Sequence, residues 1–236
     1  FIPREDNKFS AKYNIAGINA ADDLILKAAR SLYQYALEQK LIVENKNNNG
    51  SKKAYGVDIY LSKKLPMGGG LGGGSSDAAT TFKALNQLWN LNLDNKILSQ
   101  IGLKLGADIP IFIFAKSCWA EGVGELLTAF SLPASYYVVV IPKVHISTAK
   151  LFADNDLQRN CKKIDRLDFE HNSIGTTDLK SILNQTINVF ETMVRKNYPE
   201  IESAFQCLSN YGSPRLTGTG ACLFISIKTE DECVEI

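Results

Sequence analysis

Histidine is scarce: the chain has two, His145 and His171, in 236 residues. They stand far apart with no partner pattern, which argues against a histidine-based metal centre. The cysteines Cys118, Cys161, Cys207, Cys222 and Cys233 are odd in number, scattered, and never spaced Cys-x-x-Cys. Neither a disulfide framework nor a zinc site is expected, and the usage fits a reducing cytosol. No apolar run reaches the roughly 18–20 residues of a membrane span, and the residues from Phe1 onwards have no signal-peptide layout. An excess of one charge sign is also missing. The 26 basic and 25 acidic residues leave a formal charge of +1, which gives no general pull towards nucleic acid or anionic lipid. These absences lead to the expectation of a cytoplasmic protein without nucleic-acid or membrane partners; a monomer or weak homodimer is expected alongside, though no residue pattern carries that.

What is present reads as an ordinary globular chain, 45% apolar and 22% charged, large enough for one big domain or two modest ones. Asp22 is placed to cap a helix running to about residue 40, with Leu24, Ala28, Leu32 and Ala36 on one face. Residues 45–53, "NKNNNGSKK", read as a polar loop. In "YGVDIYLSKKLP", Val57, Ile59 and Leu61 alternate with polar residues, which predicts a half-buried strand of an antiparallel or mixed sheet. Ala78, Phe82, Leu85 and Trp89 keep helical spacing. Asp94 opens another helix through Ile97, Leu98, Ile101 and Leu105, with Gly106 as its stop. "SYYVVVIPK" is an apolar strand ended by Pro142, and "CLFISIK" is another strand. Residues 178–197 and 199–211 read as two amphipathic helices. A soft domain boundary falls near 130–142, dividing the chain into 1–138 and 139–236.

The stretch "KKLPMGGGLGGGSSDAATTFKALNQLW" (63–89) carries the chemistry. Successive amides of a glycine-rich turn converge on an anion because no side chain obstructs the approach. A helix N-terminus adds unpaired N–H groups and the positive end of a dipole. Ser75 and Ser76 extend the cradle with hydroxyls, so phosphate binding is the physical expectation. A Walker A loop fails, because Ser75 and Ser76 stand where it needs lysine. Gly68, Gly70 and Gly73 match the dinucleotide fingerprint, which would suggest an oxidoreductase. However, the preceding strand alternates and no acidic residue opens a ribose-binding strand about twenty residues on. A flexible linker would not sit tightly between a patterned strand and a patterned helix.

"LPMGGGLGGGSSDAA" resembles the ATP loop of the GHMP kinases (galactokinase, homoserine kinase, mevalonate kinase and relatives). Its triple glycine is most like members that act in the non-mevalonate isoprenoid pathway on a cytidine-diphosphate-linked methylerythritol. "LGADIPIF" (105–112), "AEGVGELL" (120–127) and "SPRLTGTGAC" (213–222) follow in the family's order, so the resemblance spans roughly residues 22–224.

The resemblance implies an α+β fold in two parts. The first is a nucleotide-binding half like ribosomal protein S5 domain 2, and the second is a ferredoxin-like substrate half. It implies phosphorylation of the substrate's 2-hydroxyl by ATP with magnesium, whose ligands it leaves unassigned. Asp108 matches the acid that takes the proton from the attacking hydroxyl; its structural alternative is a helix cap worth about 1 kcal/mol. Pro66, Met67, Gly68, Gly69, Gly70, Leu71, Gly72, Gly73, Gly74, Ser75 and Ser76 would wrap the phosphates, and Lys63, Leu65 and Leu24 would line the adenine pocket. Asp77 is read as complementing the dipole in the first helical turn, not as a metal ligand. The second glycine turn, with Gly218, Thr219 and Gly220, would close the site near the transferred phosphate. Thr148 and Phe152 fall to the substrate, Phe152 as the aromatic stacked on cytosine.

The sequence departs from the family in three places. Asp23 stands where the family has Asn. "SAKYN" (10–14) resembles the family's lysine motif but lies too close to Asp22, so Lys12 is read as a solvent-facing strand lysine. The tyrosine–histidine segment that holds cytosine is missing. The expectation is a chain lacking an N-terminal segment and a short C-terminal piece. Competing readings are another small-molecule kinase of the same family, the oxidoreductase, and a non-enzymatic RNA-binding module.

Overall fold

The computed structural model describes residues 1–15, 18–43, 54–173 and 179–234. The loop expected at 45–53 and the helix start expected at 178 therefore lie outside the described residues, as does the side chain of His171. The chain forms two compact units. The first comprises Phe1–Lys64 with Gly72–Phe130, and the second Leu65–Leu71 with Ser131–Ile236.

In the first unit, β1 (Ile2–Pro3), β2 (Phe9–Ala11) and β3 (Val57–Ile59) form a sheet of order β1-β3-β2. β3 runs antiparallel to β1 and parallel to β2, the mixed sheet that its alternation suggested. Val57 and Ile59 are buried while Asp58 faces outwards. There Arg4 bonds Asp58 at 2.7 Å and the Lys12 ammonium lies 3.5 Å away, so Lys12 is a strand-side ion-pair partner. Helix α1 (Leu24–Glu38) is capped by Asp23 and not by Asp22. Asp23 Oδ1 accepts from the Ile25 and Leu26 amides at 2.8 and 3.3 Å, and Oδ2 accepts from the Tyr13 hydroxyl at 2.8 Å. Adjacent carboxylates both suit a cap by type; packing buries Asp23 and leaves Asp22 exposed beside Lys27.

Helix α2 (Gly73–Leu88) buries Ala78, Phe82 and Leu85 and packs on α1, with Trp89 as its buried C-cap. Asp94 caps α3 (Asn95–Leu103), accepting from the Ile97 amide at 2.8 Å. That helix ends at a Lys104 cap, short of Gly106, whose amide still reaches the Gly102 carbonyl at 3.1 Å. α4 (Ile109–Phe114) packs on both α2 and α3. "AEGVGELL" becomes the hairpin of β4 (Cys118–Glu121) and β5 (Leu126–Ala129).

The second unit has an antiparallel sheet of order β6-β8-β7, formed by β6 (Tyr136–Val140), β7 (Arg215–Leu216) and β8 (Leu223–Ile227). Its helices are α5 (Thr148–Ala153), α6 (Arg166–Ser173), α7 (Leu179–Leu183), α8 (Glu191–Asn197), α9 (Pro199–Ser209) and α10 (Glu230–Val234). The core joins Met193, Val194, Ile201 and Leu208 to Leu223, Ile225 and Ile227. The units part between Phe130 and Ser131, within the expected 130–142, and all of β6 pairs with β8 in the second unit. The helix expected over 178–197 is α7 and α8 with a turn between them. There the Asn188 side chain accepts from the Phe190 amide at 3.0 Å and so competes with a helical backbone.

Candidate active site

The glycine-rich run ends as the first turn of α2. Gly72 is the N-cap in a left-handed conformation, φ 67°, and it carries no side chain to cap the helix. The first helical bond runs from the Ser76 amide to the Gly72 carbonyl at 2.9 Å. The amides of Gly73, Gly74 and Ser75 precede it and have no acceptor in the helix, which makes this end a site for an anion. A Cβ at Gly72 would lie 2.6 Å from the Phe112 ring of α4, so glycine is required there by packing as well as by φ. A Cβ at Gly74 would meet only Leu24 Cδ1, at 3.5 Å. Leu24 therefore borders the start of α2.

Lys63 is held by Asp77, Nζ to Oδ2 at 2.5 Å, with both side chains about three-quarters covered. Asp77 lies beyond the first turn of α2, so dipole complementation is not its role. It fixes the lysine that leads into the loop. Both oxygens of Asp23 are already engaged by Ile25, Leu26 and Tyr13. Burial and the bond to Asp23 push the Tyr13 hydroxyl pKa up.

Asp108 occupies the N-cap position of α4, but with helical dihedrals and no side-chain cap bond. The carboxylate is exposed, and it has no hydrogen-bond or ion-pair partner among the described residues. What locates it is α4 itself. Ile109 seats against Gly102, where a Cβ would lie 2.6 Å from the isoleucine Cγ2, and Phe112 seats against Gly72. The Lys83 ammonium reaches the Phe112 carbonyl at 3.1 Å. The unit thus fixes Asp108 on a short helix wedged against the start of α2.

In the second unit, Leu65–Leu71 lie against the second glycine turn. The Cys222 amide donates to the Gly69 carbonyl at 3.1 Å, and the Thr217 hydroxyl donates to the Gly70 carbonyl at 2.7 Å. Asn188 holds that turn from behind, donating to the carbonyls of Leu216 at 2.9 Å and Gly218 at 2.8 Å. Thr148 and Thr219 share a hydroxyl–hydroxyl bond of 2.9 Å, so two of the residues expected to touch substrate do meet. Phe152 is 58% exposed and packs edge-on against Phe190, ring centroids 5.0 Å apart. A core role for Phe152 is therefore set aside. His145 borders Gly68, and no group of three metal-ligating side chains occurs among the described residues.

Sequence reasoning missed Phe112, Thr217, Asn188 and Phe190. Only Asn188 carried a signal, as a turn-forming residue inside an expected helix.

The architecture and the helix-terminal glycine loop define a phosphate-binding small-molecule enzyme, and comparison with known proteins gives its class. The family model "GHMP kinases N terminal domain" matches residues 23–116 and "GHMP kinases C terminal" matches residues 173–235. The chain belongs to the GHMP kinases, as its loop motif suggested. Among curated relatives it is similar to 4-diphosphocytidyl-2-C-methyl-D-erythritol kinase of Hahella chejuensis, 42% identical over 96% of this chain and 71% of that protein. The enzyme of the same name from Shewanella halifaxensis is 43% identical over 94% of this chain and 69% of its own length. A crystal structure of 4-(cytidine 5'-diphospho)-2C-methyl-D-erythritol kinase aligns with a TM-score of 0.71 at 25% identity, covering 98% of this chain and 76% of that one. The Methanococcus jannaschii mevalonate kinase, 18% identical, aligns at 0.63 over 100% of this chain and 81% of its own and shares the fold.

Proposed function

We propose that the protein transfers the γ-phosphoryl group of ATP to the 2-hydroxyl of 4-diphosphocytidyl-2-C-methyl-D-erythritol, in the methylerythritol phosphate route to isoprenoids. The observation that carries this reading is 42% identity across 96% of the chain to a kinase of that name. ATP use follows from membership of the family. In the proposed roles, Pro66 to Ser76 hold the phosphates, Lys63, Leu65 and Leu24 border the adenine, and Phe152 stacks on the cytosine. Asp108 takes the proton from the 2-hydroxyl as its oxygen attacks phosphorus and ADP leaves. The free, exposed carboxylate at the start of α4, the helix whose Phe112 seats against Gly72, supports that role.

Phosphoryl transfer rests on positioning and charge neutralisation. Magnesium would accompany the nucleotide, held largely by its phosphates, and no residue of this chain is assigned to it. The setting proposed is the cytoplasm, where five unpaired cysteines are at home. The dinucleotide reading loses its support, because β3 leads into α2, α3 and α4 and, among the described residues, no parallel crossover strand follows them in that sheet. A coupled ADP-release assay should show turnover with the cytidylyl substrate and none with mevalonate, homoserine or galactose. Faster turnover with any of those three would reassign the substrate within the family.

A further inference from the structure

The bonds between Leu65–Leu71 and the second glycine turn have a directional consequence. In a trans peptide the carbonyl and the N–H of the same plane point in opposite directions. The Gly69 carbonyl shares its plane with the Gly70 amide, and the Gly70 carbonyl shares its plane with the Leu71 amide. Both carbonyls are turned towards the second glycine turn, where Cys222 N–H and Thr217 Oγ1 donate to them. Both amides are therefore turned away from it, on the opposite side of the loop.

Among the described residues, neither amide has a backbone acceptor. Gly70 is left-handed, φ 74°, the conformation in which successive amides form a concave anion nest. A Cβ at Gly70 would collide with the Thr217 carbonyl, so the two segments are in direct backbone contact. Thr217 is itself fixed. Its amide donates to the Cys222 carbonyl at 3.0 Å, its carbonyl accepts from the Gly220 amide at 2.8 Å, and Asn188 holds the residues on either side.

We infer that Thr217 is a positioning residue for the nucleotide's phosphates: its hydroxyl sets the Gly70–Leu71 peptide plane so that the Leu71 amide faces the anion beside the Gly70 amide, whose own plane the Cys222 N–H holds. It touches no phosphate and acts through Gly70. Of the two latching bonds, the one from Cys222 is backbone and survives any substitution. The one from Thr217 depends on a hydroxyl and is open to test. The inference rests on the reading of this loop as the ATP loop, and the test separates the two.

The experiment measures dissociation constants of ATP and adenosine by calorimetry for the wild type, Thr217→Val and Thr217→Ser. Valine keeps the volume and β-branching and removes the donor; serine restores the donor. One neutral hydrogen bond corresponds to about a three- to tenfold change in affinity. Thr217→Val should weaken ATP by that factor and leave adenosine unchanged, and Thr217→Ser should bring ATP back to within about twofold of wild type. Equal weakening of ATP and adenosine, or no weakening of ATP, overturns the inference, as does a serine variant as weak as the valine one. A wild type that binds adenosine as tightly as ATP fails earlier, at the assignment of the loop. Circular dichroism melts accompany each variant, and an unfolded Thr217→Val passes the decision to Thr217→Ser against Thr217→Ala.

Discussion

Asp108→Asn separates a catalytic carboxylate from a structural one more sharply than the sequence alone allows. As a helix cap, Asp108 would be worth about 1 kcal/mol, and asparagine would retain most of that. In the structure the side chain caps nothing, is exposed, and has no partner among the described residues whose loss could be felt. Stability should then stay within about 0.5 kcal/mol, the range of ordinary surface substitutions. In a chain of this size that is a melting shift of at most about 2 °C. The chemistry predicts a different scale. An amide cannot accept the proton of the attacking hydroxyl, and positioned general bases contribute about 10²–10⁴ in rate. Stopped or coupled assays at saturating ATP and cytidylyl substrate should therefore show kcat down by that factor, with both KM values little changed. A kcat within a few fold of wild type would refute Asp108 as the base. A fall in Tm of several degrees would refute the claim that its carboxylate is structurally idle.

Gly72→Val should abolish ATP binding and also cost stability. Left-handed backbone penalises a side chain by about 1–2 kcal/mol, and the new methyls would press on Phe112; titration and melting of the same sample check both. Gly74→Ala is its counterpart. Only Leu24 lies near the added methyl, so Tm should hold while ATP affinity drops about tenfold (1.4 kcal/mol), and an unchanged Kd would remove Gly74 from the site. Phe152→Ala should raise KM for the cytidylyl substrate roughly tenfold to a hundredfold, since base stacking is worth about 1–3 kcal/mol. KM for ATP should be untouched, and equal losses for both would contradict the stacking role. The hydrogen bond from Arg4 holds the Asp58 carboxyl below its usual range. A lowered folded pKa gives stability that is present above the ordinary carboxylate pKa and is lost as pH falls through the folded value. The Tm gap between wild type and Asp58→Asn should accordingly be widest near neutrality and close in acid.

The sequence by itself determined everything that repeats locally. Helical spacing placed Ala28, Leu32 and Ala36 on one buried face, and Ala78, Phe82 and Leu85 on another. Both patterns reflect side chains returning to the same face of a helix every three or four residues. Alternation marked Val57 and Ile59, and the density of glycine before Ser75 marked a backbone left bare for an anion. Each signal lies within a few residues of its cause, so no tertiary information is needed to read it.

Tertiary structure decided which of several equally suitable groups is used and what it faces. Asp22 and Asp23 are both competent caps by type, and burial with Tyr13 selects Asp23. Asp77 suited a dipole by its distance from the glycines, yet a lysine brought in from before the loop claims it. Asn188 broke a helix that periodicity alone would continue, because its amide serves carbonyls about thirty residues away. Thr217 finds Gly70 across 147 residues of chain, a separation at which neither propensity nor spacing carries information. That contact turns the Gly70 carbonyl towards the second glycine turn, and only the folded chain makes it.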